Sequence, residues 1–467
     1  MSTFKKLETK YKVLIVVSMI ILLGFFFCQT YYDMGITTYH GISFWDCLFS
    51  GNIRNFYSIN NNATLVFSNT MSGEYSASYD FIIYIIFAIW DFPLWIAKTF
   101  FGIEYPVATF LGTCWAKSIS LFFLILSAMF FNKIAKMLND DEKFVFKCTL
   151  GFVTSLYAIA YVFVMGQYDS ITICFILAGV YYYLKEKKWI GLALFAVAIP
   201  IKMFALFAFI IILLYMEKNI LKIMGTLVLA LVPMIICRIL IPFADVNNVN
   251  FFFNSMFFSN PWSMGIGYFS VFLVLFIILC VVIYVFVKKE DSHRRLIMLL
   301  FLCYTLFGVC AYCLPYWLIY FVPFMYLVFC INQEIFELNI CLDAVGAFFV
   351  VIAQVMTFYW TYSSTIASNL LVSKLFPRED KGLAIHEFLS AILGEERYSQ
   401  FSPILAPLCL SIFLACMLMI MVFNYCNINR PFFIREEVRI NLKWFGLALR
   451  IVLSLIILSM PVLFYLI

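Results

Sequence analysis

The chain has 467 residues, 65% of them hydrophobic and 12% charged, with a mean hydropathy of +0.99 and a formal net charge of +5. A soluble core cannot hide that much apolar surface, so most of it must face lipid or other membrane helices. No polar stretch is long enough to build a separate soluble domain. The basic residues are scattered through short loops, which excludes a nucleic-acid-binding patch.

In chain order, Lys5, Lys6, Lys10 and Lys12 precede the first apolar run, Val13–Gln29, and the positive-inside rule places the N-terminus in the cytoplasm. That run lacks a small-residue cleavage site and reads as a retained signal-anchor helix. Residues 30–106 form a long first external loop, in which His40–Phe49 is amphipathic and Asn60–Ser78 polar. Phe81–Ile96 is apolar but interrupted by Asp91 and Pro93. If it crossed, every basic loop downstream would invert, so it is predicted to be interfacial or re-entrant.

The predicted spans then alternate as Ala108–Phe131, Phe152–Met165, Ile171–Tyr183, Trp189–Ile199, Met203–Tyr215 and Ile223–Ile241. With that order Lys133, Lys136, Lys143 and Lys147 fall inside, as do Lys185, Lys187, Lys188, Lys218 and Lys222. An aromatic-rich external loop, Pro242–Gly267, follows. The remaining spans are Tyr268–Val287, Leu296–Leu314, Tyr316–Ile331, Leu338–Trp360, Ile404–Tyr425 and Phe445–Leu463, with a polar external stretch from Thr361 to Phe401. The fold class read from the sequence is all-α and polytopic, with about 13 spans and the C-terminus outside.

The 15 cysteines are spread singly through apolar segments and read as small packing residues. Cys310 and Cys313 form a CxxC inside such a segment, with no His or further Cys beside it to suggest metal or redox chemistry.

Charges inside or bordering a span need a reason, because each costs about 2.5–3.5 kcal/mol to insert. Lys202 follows Pro200, between two spans shorter than the roughly 20 residues a bilayer requires. It reads either as a cation snorkelling to the outer headgroups or as an anion-binding group at a loosened backbone. Lys117 and Arg238 pose the same choice, with snorkelling the stronger reading of both. Asp33, just after the first helix, is a solvated helix end or a reactive carboxylate, with His40 two helical turns on as its possible partner. Asp169, in Gly166-Gln167-Tyr168-Asp169-Ser170, is a helix cap or a pocket residue. All of Asp33, Asp169, Lys202 and Arg238 map to the outer face. A carboxylate that takes a proton beside cations that hold a phosphate is what glycosyl or phosphoryl transfer needs.

Three patterns carry a family resemblance: Tyr32-Asp33-Met34 with His40-Gly41 and Trp45-Asp46; Gly166-Gln167-Tyr168-Asp169-Ser170 with Gly191 and Ile201-Lys202; and Pro315-Tyr316-Trp317-Leu318 with Val322-Pro323-Phe324. In these the chain resembles the GT-C superfamily of polytopic glycosyltransferases, in particular bacterial members that use polyprenyl-phosphate sugars. The resemblance implies a catalytic module over residues 1–241, including the loop 30–106, and additional, more variable helices over 242–467. It implies transfer of a sugar, a hexose by expectation, from a polyprenyl-phosphate donor at the outer face of a bacterial plasma membrane. The acceptor is a glycan, lipid or protein that the sequence does not define.

By the same resemblance Asp33 is the catalytic base, with Asp46 as the alternative. Lys202 is the first and Arg238 the second phosphate-binding residue, while His40, Gln167, Tyr168, Asp169, Tyr316 and Trp317 line the pocket. Direct displacement by one base inverts the anomeric centre. Position 35 is Gly, so the loop holds no DxD or DxE pair, and neither a metal nor another cofactor is expected. The competing readings are a polysaccharide polymerase or ligase, and a lipid-linked glycan flippase or other transporter. The latter is weakened by the lack of an internal repeat.

Overall fold

The computed structural model describes residues 9–28, 31–66, 72–243, 261–264, 267–287, 293–311, 313–357, 390, 393–429 and 436–466. The predicted polar stretch after Trp360 lies largely outside them, as does most of the external loop after Pro242. The described residues are almost all helical, with two short antiparallel hairpins, Ala63–Val66 with Ser72–Tyr75 and Pro261–Met264 with Gly267–Ser270. The helices used below are α1 Thr9–Cys28, α2 Tyr32–Phe49, α3 Phe81–Trp90, α4 Phe92–Phe101, α5 Phe110–Leu138, α6 Glu142–Val153, α7 Asp169–Leu184, α8 Lys188–Ile201, α9 Ala205–Met216, α10 Ile220–Leu240, α11 Val271–Phe286, α12 His293–Cys310, α13 Val322–Ile331, α14 Phe336–Thr357, α15 Glu395–Asn429 and α16 Glu436–Leu466.

Seven of the described segments are long and apolar enough to cross a membrane: Phe110–Leu138, Glu142–Val164, Ile220–Leu240, His293–Cys310, Gln333–Thr357, Glu395–Asn427 and Asn441–Ser459. The bent pair α3–α4 would make an eighth if it were one span. The first predicted span falls on the 20-residue α1, and the other five fall on apolar helices of 10–17 residues, among them α7, α8 and α9. At 1.5 Å per residue these are too short to cover a 30 Å hydrocarbon core unaided. The all-α class stands, and among the described residues seven helices, or eight if the bent pair is one span, have the length and composition of a full crossing.

The chain divides into two compact units. The terminal unit comprises Met1–Tyr31, Phe131–Gly166 and Leu318–Ile467. Its span Glu142–Val164 is broken near Thr154. The Ser155 N–H turns to the Phe152 carbonyl at 3.3 Å, which leaves the Gly151 carbonyl without its helical donor. Arg450 of α16 fills that vacancy, its Nη2 donating to Gly151 O at 2.7 Å and to Thr154 Oγ1 at 3.3 Å. A membrane interior leaves no water to do this, so the arginine has a structural reason. Buried asparagines add a second fastening: Asn339 and Asn424 exchange amide hydrogen bonds at 2.8 and 3.0 Å, and Asn332 donates to Asn424 at 2.9 Å.

The central unit, Tyr32–Phe130 and Gln167–Trp317, carries every candidate site residue. Its core packs Phe56, Tyr84, Phe87, Ile119, Tyr168 and Ile201. Helices α2 and α3 cross closely at Gly41, where a Cβ would stand 2.9 Å from that of Phe87. Helices α3 and α4 meet at a 65° bend on Asp91. The bend frees the Ala88 carbonyl, which accepts from Trp45 Nε1 at 2.8 Å. Trp90 and Trp115 stack at 5.7 Å and each donates its indole N–H to the other's carbonyl.

Candidate functional site

Asp33 stands in the first turn of α2, outside the seven long helices. A helix N-terminus favours a carboxylate there, since its unpaired N–H groups carry partial positive charge. The backbone is anchored by Thr37, whose Oγ1 donates to the Asp33 carbonyl at 3.0 Å. The carboxyl accepts from Gln167 Nε2 at 3.3 Å. Asp33 keeps part of its surface accessible although protein surrounds it densely. That burial raises its pKa above the ordinary carboxylate value. The charge of Lys202 and the side chains of Gln167 and Tyr168 pull in the opposite direction.

Lys202 is delivered by a helix end. Pro200 in the last turn of α8 has no N–H to continue the ladder, and Lys202 leaves the helix with an extended backbone (φ −149°, ψ 123°). Its side chain is 4% exposed, with Nζ 4.6 Å above the ring of Tyr79 and 5.1 Å above that of Tyr168. No carboxylate lies within 4.0 Å of the ammonium among the described residues. Two desolvated cation–π contacts contribute about 2 kcal/mol each, but neither replaces a hydrogen-bond acceptor. The ammonium acts on the Asp33 carboxyl through space. Tyr79 and Tyr168 themselves meet edge to face at 6.0 Å. Tyr168 is set by the turn before it, where Gly166 takes φ +76°, a conformation that favours glycine.

The other predicted residues divide. Asp169 is buried in the first turn of α7, next to Tyr168, which occupies the cap position. His40 is buried edge-on to Tyr84 at 5.6 Å, and among the described residues its Nε2 has no hydrogen-bond partner and it forms no pair with Asp33. Burial pushes its pKa down to about 4, so the imidazole is neutral at physiological pH. Trp317 packs on Phe204 at 4.7 Å, behind the segment that carries Lys202, with Tyr316 edge-on to it at 6.2 Å.

Two residues are already engaged. Arg238 makes a bidentate pair with Asp80, Nε to Oδ1 at 2.6 Å and Nη2 to Oδ2 at 2.9 Å. Its charge is therefore compensated in direct contact, whereas among the described residues Lys202 has no carboxylate within ion-pair distance. Asp46, the alternative base, accepts from Lys98 Nζ at 2.6 Å and from Trp95 Nε1 at 2.9 Å. Asp33 has no such cation in contact. Tyr79 and Asp80 were not singled out from the sequence, because they close a polar stretch whose return to the core no periodicity announces.

Among the described residues no three His, Cys, Asp or Glu side chains converge as a metal site would require. No known protein family matches the chain, and no curated protein resembles it closely enough to match.

Proposed function

We propose that this protein is a membrane glycosyltransferase that moves a sugar, a hexose by expectation, from a polyprenyl-phosphate donor to an acceptor hydroxyl at the outer face of the membrane. The observation that carries the reading is Lys202, a buried ammonium set between two tyrosine rings with no ion-pair partner among the described residues, whose charge acts on the Asp33 carboxyl. A base and a cation in one cluster suit a reaction in which a proton leaves one oxygen while negative charge grows on another.

In the proposed step the acceptor oxygen attacks the anomeric carbon and its proton passes to Asp33. A new C–O bond forms as the bond from the anomeric carbon to the phosphate oxygen breaks, and the electron pair stays with the phosphate. Lys202 compensates that charge by a charge-assisted hydrogen bond. A single displacement inverts the anomeric configuration. Arg238, held by Asp80, is the second candidate for the phosphate-binding role. The long lipid would lie along apolar helix faces.

The test is a screen of purified protein against synthetic polyprenyl-phosphate hexoses with mixed glycan and lipid acceptors. The reading predicts a glycosylated product and release of polyprenyl phosphate from at least one donor. Movement of an intact lipid-linked sugar across a vesicle membrane without release would support the transporter reading instead.

A further inference from the structure

Tyr79 belongs to no helix or strand, yet its backbone is held on both sides. Its N–H donates to the hydroxyl of Tyr84 at 3.1 Å, and its carbonyl accepts from the hydroxyl of Tyr57 at 2.7 Å. Both of those side chains are buried, Tyr84 in α3 and Tyr57 in the short helical turn Phe56–Ile59. The next residue, Asp80, stands at the N-cap of α3 and carries the bidentate pair with Arg238. A loop residue ordinarily leaves its backbone groups to water. Here both are committed to buried hydroxyls, so the surroundings set the direction of the Tyr79 side chain.

That side chain meets Lys202. The ring of Tyr79 lies 4.6 Å from Nζ, nearer than the ring of Tyr168 at 5.1 Å, and the two rings support each other edge to face. A ring face attracts an ammonium through its quadrupole. A carboxylate in the same place would fix the lysine as well, but it would neutralise the charge and compete with an incoming phosphate. Aromatic faces fix the position of a cation and leave its N–H groups to an anionic ligand.

Resting on the transferase reading above, we propose that Tyr79 is a positioning residue for donor binding. Its ring holds the Lys202 ammonium where the donor phosphate arrives, and the hydroxyls of Tyr57 and Tyr84, with the Asp80–Arg238 pair, hold the ring. The segment before α3 is thereby a working part of the phosphate site. A buried hydroxyl on Tyr57, which touches no substrate, then sets donor affinity through Tyr79 and Lys202.

The experiment measures polyprenyl phosphate release by the full-length protein from a synthetic polyprenyl-phosphate hexose. Tyr79→Leu should raise the donor KM roughly fivefold to thirtyfold, with kcat changed about twofold or less. Tyr79→Phe keeps the ring and should recover most of that loss. In a Lys202→Met background Tyr79→Leu should change the donor KM about twofold or less, a dependence that general loosening of the fold would not show. Should Tyr79→Leu fail to fold, Tyr57→Phe decides. It keeps every ring, loses the hydrogen bond to the Tyr79 carbonyl, and should raise the donor KM roughly threefold to tenfold only where Lys202 is present. For the variant that decides, a wild-type donor KM, or an equal rise with and without Lys202, would overturn the inference and leave the transferase reading intact. Absence of polyprenyl phosphate release by the wild-type protein from every donor would overturn both.

Discussion

At the scale of single residues, two carboxylates and two cations were open choices in the sequence, and their partners separate them. Asp46 and Arg238 each have an oppositely charged group in contact, and among the described residues Asp33 and Lys202 do not. Lys202→Met should therefore raise the donor KM by tenfold or more, the order expected for losing a charge-assisted contact to phosphate. Arg238→Met should act on stability, because it strands Asp80 at the start of α3, and thermal melting of the purified variants distinguishes the two effects. The raised pKa of Asp33 gives a sign for pH. A base must be ionised, so kcat/KM should climb with pH through a midpoint above 3.8, and Asp33→Asn should remove that limb with the activity. The same shift means that the folded protein holds this proton more tightly than the unfolded chain. The stability linked to Asp33 is complete below about 3.9 and is lost as pH rises through the raised folded value. His40, lowered to about 4, should contribute no limb near 6.5.

At the scale of elements, the sequence made the helices legible and hid their breaks. Thirteen apolar runs were visible because membrane helices are hydrophobic on every side, and each run coincides with a helix. Their lengths were harder to read, since short helices such as α8 and α9 give the same apolar signal as full crossings. Pro200 was legible as a breaker, and its consequence is the extended backbone at Lys202. Pro200→Ala should let α8 continue, turn Lys202 away from Tyr79 and Tyr168, and lower donor use at least tenfold, while stability changes by no more than about 1 kcal/mol. The role of Arg450 was not legible, because it answers a carbonyl some 300 positions earlier in the chain. Arg450→Met should destabilise the terminal unit by about 1–3 kcal/mol, read as a lowered melting temperature in detergent, and Arg450→Lys should recover part of the loss.

At the scale of the whole molecule, Asp33, Gln167 and Lys202 are far apart in the chain and share one cluster in the central unit. The charge pattern of the loops predicts one face of the membrane for them, and the fold brings them into one cluster. Tyr79, which completes the setting of Lys202, went unnoticed because nothing in a polar loop marks the residue that will fold back. The topology has its own test. In a background with accessible native cysteines replaced, a cysteine at Ser58 should react with an impermeant reagent in intact cells, and one at Lys187 only after permeabilisation; the reverse pattern would invert the protein. The central claim is that one buried cluster supplies both base and phosphate-binding cation, and it is tested most directly by polyprenyl phosphate release from a defined donor by three proteins. The account predicts release by the wild type, binding without release by Asp33→Asn, and release by Lys202→Met only at raised donor concentration. Undiminished release by Asp33→Asn would contradict it.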